Sequence, residues 1–166
     1  MHEILLIVSA AIHLFAAVVW IGGIFFILFV ALPSARKILE QPSPLMGAIS
    51  KRFAPLANIS ILLILVTGIL MSLLSHTYSE FASLTSRWSQ TLSLKIIIAL
   101  IMTVVHFYRG LVLTPRITKL TSEGVHSEEV GRLQRLSLNL VKVNLLFGAT
   151  VLVITGVLYA YRFETW

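Results

Sequence analysis

Four long stretches of the chain are almost free of charge. Residues 4–32 and 53–75 contain no Asp, Glu, Lys or Arg. Residues 92–114 are interrupted only by Lys95 and Arg109, and residues 136–161 only by Lys142. About 20 mainly apolar residues cross the hydrocarbon of a bilayer as a helix. In lipid such a segment must be helical, because its backbone groups find no other partners there. The pattern therefore predicts an all-α integral membrane protein, a four-helix up-down transmembrane bundle forming one domain. The segments between the spans are polar. The third connection, 115–135, is long enough for a short amphipathic helix around 127–136.

Composition turns this pattern into an exclusion. Hydrophobic residues make up 57% of the 166 positions and charged residues 12%, against roughly 25% charged in a soluble domain. The mean hydropathy is +0.93. A soluble enzyme, a disordered chain and a nucleic-acid-binding domain are all excluded, and the main partner of the surface is the lipid bilayer. The net charge of +6 reads as a topology signal. Arg36, Lys37, Lys51 and Arg52 lie in the first connection, and Arg116, Lys119, Arg132 and Arg135 in the third; the second has only Arg87. The positive-inside rule puts the two basic connections in the cytoplasm and both termini outside, in a bacterial-type inner membrane. Trp88, Tyr159, Tyr161 and Trp166 then fall near the outer boundary. The start, Met-His-Glu, lacks a basic n-region, so the first span reads as a retained anchor rather than a cleaved signal.

Two pairs of segments match. Leu-Pro-Ser-Ala-Arg-Lys at 32–37 parallels Thr-Pro-Arg-Ile-Thr-Lys at 114–119, with the prolines 82 residues apart. Val-Thr-Gly-Ile-Leu at 66–70 parallels Ile-Thr-Gly-Val-Leu at 154–158. This suggests two related helical hairpins about an axis along the membrane normal. The same offset carries His13 onto Lys95.

Ionisable groups within spans usually face a bundle interior or a cavity, so the few present are the candidate chemistry. His13 leads. Trp20 follows two turns later on its face, and the Gly22-Gly23 pair admits a neighbouring helix or a flat ligand. Lys95, Met102, His106 and Arg109 form one stripe on the third helix. Arg109 suits a lipid phosphate, a carboxylate or a propionate. On the fourth helix Asn139 and Lys142 share a face and Asn144 points elsewhere. With no cysteine in the chain a cofactor must use His, Met, Lys, Tyr or carboxylates, and with no Asp in the chain and no Glu within a span hard-cation sites are disfavoured. His13 and His106 are the candidate metal ligands. At 1.5 Å per residue they differ in depth by roughly 12 Å, which disfavours one haem b bridging both. Copper, or haem b on His13 alone, remain open as the metal ion or porphyrin. His2, His76 and His126 lie at ends or in connections and read as solvated.

Residues 12–23, Ile-His-Leu-Phe-Ala-Ala-Val-Val-Trp-Ile-Gly-Gly, together with Arg52-Phe53, Thr67-Gly68-Ile69-Leu70 and Leu92-Ser93-Leu94-Lys95, resemble the CopD family of bacterial copper-resistance inner-membrane proteins. That resemblance implies copper binding or transport through an intramembrane histidine site. The layout is also similar to the HemJ-type protoporphyrinogen oxidases, four-helix membrane proteins with a haem-associated His in helix one and a functional Lys opening helix three. His13 and Lys95 match those positions and would imply haem b and a redox enzyme. The fourth helix departs from them, reading Leu-Asn-Leu-Val-Lys-Val-Asn at 138–144 where that family has Asn-Glu-x-Pro. The CopD-like reading is preferred, with no enzymatic activity implied. A structural subunit, as a homodimer or in a larger membrane complex, is the third expectation.

Overall fold

The computed structural model describes residues 1–41, 43–74, 84–124 and 128–161. Among them all regular structure is helical: α1 (His2–Phe26), α2 (Leu32–Ile38), α3 (Ser43–Leu74), α4 (Arg87–Tyr108), α5 (Thr114–Ser122) and α6 (Glu128–Tyr161). A five-residue π-helical turn joins α1 to α2 (Ile27–Ala31), and another joins α4 to α5 (Arg109–Leu113). Four continuous helices, His2–Ile38, Pro44–Leu74, Arg87–Ser122 and Glu128–Tyr161, are long and apolar enough to cross a membrane. His76, His126 and Trp166 lie outside the described residues.

The helices overrun the expected spans. Pro33 and Pro115 do not end the first and third helices, which continue to Ile38 and Ser122. Proline lacks an N–H and its ring clashes with the carbonyl one turn back. The π turn ahead of each proline accommodates this by displacing the ladder by one residue. The Leu32 N–H bonds the Ile27 carbonyl, and the Thr114 N–H bonds the Arg109 carbonyl, five residues back in each case. The carbonyls of Leu28 and Gly110 then lack a ladder partner, because the next donor would be the proline. The two π turns are 82 residues apart, the offset already seen between the prolines. Basic residues expected in connections, Lys51 and Arg52 among them, lie on helix instead. Of the expected helix at 127–136, residues 128–136 are the start of α6, and Ser127 lies outside the described residues.

The chain divides into two compact units, Met1–Gln90 and Thr91–Trp166. In the first, α1 runs closely along α3. Contacts of His13 with Thr67 and of Gly23 with Phe53 make the pair antiparallel. Its core is a line of small and large residues, Ala16, Trp20 and Ile24 on α1 and Ala57 and Ile61 on α3, all buried. Small residues at such positions let helices approach in lipid, where van der Waals packing must replace the hydrophobic effect. Ser86 caps α4, its hydroxyl accepting the Ser89 N–H at 3.1 Å.

In the second unit, α5 and the π turn lie close to α6. Gly124, with φ +71°, provides the left-handed residue after α5 that a side chain would strain. Arg116 on α5 pairs with Glu129 on α6 at 2.6 Å, with side chains 59% and 40% exposed. Such a solvated pair is worth less than about 1 kcal/mol. Glu129→Gln should therefore shift the thermal midpoint by no more than a few degrees, and the difference should vanish in high salt. A large loss measured in a melting curve would mean the pair holds the hairpin together.

Candidate functional site

His13 sits mid-way along α1 with its ring against α3. A Cβ built on Gly68 would lie 3.5 Å from His13 Cε1, so the imidazole rests on bare backbone. Its Nδ1 is 2.9 Å from Thr67 Oγ1. Thr67 is buried, and its single hydroxyl hydrogen is directed at the Leu63 carbonyl, 2.5 Å away. That hydrogen cannot serve two acceptors equally well. While that hydrogen stays on the Leu63 carbonyl, Thr67 Oγ1 can only accept from the ring, and the contact then requires the Nδ1–H tautomer of His13. A neutral imidazole protonated at Nδ1 has its lone pair on Nε2, the arrangement found where a second-shell acceptor orients a metal-binding histidine.

The rest of the first unit follows a register set by its two contacts. Ser9, buried one turn toward the N-terminus from His13, lies at the same end of the hairpin as Met71, one turn beyond Thr67. Trp20 is buried, 3% exposed. Seven residues put it about 10 Å along the helix axis from His13, within the packed stripe. The approach anticipated at Gly22-Gly23 is taken up by the chain itself. A Cβ on Gly23 would stand 2.2 Å from Phe53 Cε2, whereas nothing lies near Gly22. The flat group on Gly23 is the Phe53 ring.

The other sequence candidates belong to the second unit. The stripe on α4 does turn inward at its centre: Met102 is 1% exposed and His106 8%. Lys95 and Arg109, at its ends, are half-buried. Arg109 opens the π turn, and its carbonyl also receives the Thr114 hydroxyl at 3.0 Å. On α6, Asn139 and Lys142 are exposed. The buried line runs through Leu133, Asn144, Gly148, Ile154 and Leu158.

Asn144 is the polar group that the sequence reading set aside. It is 3% exposed, and its Nδ2 donates to the Met102 carbonyl at 3.2 Å. Its Oδ1 is buried without a hydrogen-bond partner. The spacing to Gly148, one turn on, was the available signal. Thr67 had a signal too, since Thr-Gly recurs in α6. There Thr155 repeats the hydroxyl-to-carbonyl bond, donating to Val151 at 2.7 Å.

Among the described residues no group of three or more His, Cys, Asp or Glu converges on one point. The family model for copper resistance protein D, CopD, matches residues 47–158. The chain belongs to the CopD family. It is a copper-resistance membrane protein. The match takes in Phe53, Thr67, Lys95, Met102, His106, Arg109 and Asn144, and begins after α1, so His13 and Trp20 lie outside it. No curated protein and no solved structure is a significant match.

Proposed function

We propose that this CopD protein binds copper within the membrane through His13 Nε2, as cargo in passage rather than as a resident cofactor. The observation that carries the reading is the contact of His13 Nδ1 with Thr67 Oγ1, whose hydroxyl reaches on to the Leu63 carbonyl. It directs the lone pair to Nε2 before any ion arrives. Imidazole suits copper, and thioether selects its reduced form. Met71 is the thioether that the helix register brings toward the same end of the hairpin. Without thiolates the site is a sparse one, which suits an ion that must also leave. On the positive-inside argument, the His13 end of the hairpin faces outward from a bacterial-type inner membrane and receives copper from that side.

Nitrogen NMR of the full chain in detergent, labelled at histidine, tests this. In the metal-free protein the His13 signals should be those of the Nδ1–H tautomer. Cu(I) added to saturation should move the Nε2 resonance while Nδ1 keeps its proton. An unmoved His13 signal, or a Soret band in the purified protein, would overturn the proposal.

Thr67→Val removes the acceptor at nearly constant shape. Loss of a second-shell partner typically lowers metal affinity 10–100-fold, and that range is expected here, with Thr67→Ser close to wild type. Competition with a chromophoric Cu(I) chelator reads both, and equal affinities for Val and Thr would count against the orienting role.

A further inference from the structure

The second unit carries a buried donor set that the His13 site does not use. Met102 and His106 are four residues apart on α4 and so share one face. Both are buried. The Met102 carbonyl, which in an α-helix points toward His106, is where Asn144 Nδ2 is anchored. This brings the Asn144 amide from α6 to the same level. Its Oδ1 is buried and has no hydrogen-bond partner. Leaving an acceptor in that state costs about 1–3 kcal/mol, so a site that supplies it with a partner is favoured.

We propose that Met102 Sδ, a ring nitrogen of His106 and Asn144 Oδ1 form a second copper(I) site, contained in the unit Thr91–Trp166. The inference rests on the proposed copper function but not on His13. Three features select the ion. Every donor is neutral, so the full charge of the ion stays in a buried place, and the Born penalty of a divalent ion is about four times that of a monovalent one. Arg109, three residues beyond His106, opposes a divalent ion more strongly as well. Sodium or potassium would need a shell of oxygens, whereas a thioether and an imidazole favour Cu(I), with an amide oxygen acceptable as a weak further ligand.

The test is an anaerobic Cu(I) titration of the full-length protein in detergent against a chromophoric chelator, with helical content checked for each variant. Wild type should take up two equivalents. His13→Ala should retain one, and so should Met102→Leu, which nearly conserves volume, and His106→Phe. His13→Ala combined with Met102→Leu should take up none. X-ray absorption at the copper edge of the His13→Ala protein should show a sulfur neighbour that Met102→Leu removes. If Met102→Leu and His106→Phe both keep the wild-type stoichiometry, or if the His13→Ala protein binds copper without sulfur, the second site is refuted and the His13 reading stands. If His13→Ala keeps both equivalents while Met102→Leu loses one, the His13 reading fails and the second site stands. No uptake by the wild type overturns both.

Discussion

Replacing His13 by Ala should lower Cu(I) affinity at the first site by at least about 100-fold. Loss of an outer-shell partner alone typically lowers affinity 10–100-fold, and here the donor atom itself is removed. The fold should survive. Thr67 keeps its bond to the Leu63 carbonyl, and loss of the inter-helix bond from His13 to Thr67 costs about 1 kcal/mol. His13 is half-buried, so truncation opens a void at the edge of the hairpin, not at its centre. Chelator competition on purified protein gives the affinity, and a thermal melt followed by helical content gives the stability. Copper accumulation in cells carrying the variant should fall in step with affinity. Wild-type affinity in a protein lacking this ring would remove His13 from the chemistry altogether.

Gly23→Ala should destabilise the first hairpin by about 1–3 kcal/mol, the usual range for overpacking a close contact. The new methyl would stand 2.2–2.3 Å from Phe53 Cε2 and Cζ, well inside van der Waals contact, so the ring must swing away and give up its packing on α1. Gly22→Ala, with nothing near it, should be almost neutral or slightly stabilising, since alanine favours a helix. Phe53→Leu shortens the group that collides, and in that background Gly23→Ala should cost much less. A double-mutant cycle on thermal or detergent-induced unfolding isolates the coupling. Equal penalties with and without Phe53 would mean that the ring does not sit on Gly23.

The spans were legible because the rule behind them is simple. Lipid tolerates few charges, and four stretches comply. Helix ends were less legible, because the boundaries at Phe53 and Leu136 were set by where apolar sequence begins. A helix can leave the hydrocarbon and continue into water, as α3 does through Lys51 and Arg52 and α6 does from Glu128. Pro33 and Pro115 looked like stops, and a one-residue slip in the ladder carries the helix past each. His13 stood out as an ionisable group in lipid. Its partner Thr67 did not, because that pairing depends on the register of α1 against α3, which no local pattern encodes. Asn144 was set apart only as pointing away from Asn139 and Lys142, and which of the two faces is buried depends on packing that the local pattern does not encode.

Each π turn re-aims the helix beyond it. Such a turn holds one residue more than an α turn, so every later residue is rotated by about 100° from where an unbroken α-helix would put it. Arg36 and Lys37 lie beyond the slip at Ile27–Ala31, and Arg116 and Lys119 beyond the slip at Arg109–Leu113. The direction in which each basic segment faces is therefore set by the proline that precedes it, at 33 and at 115.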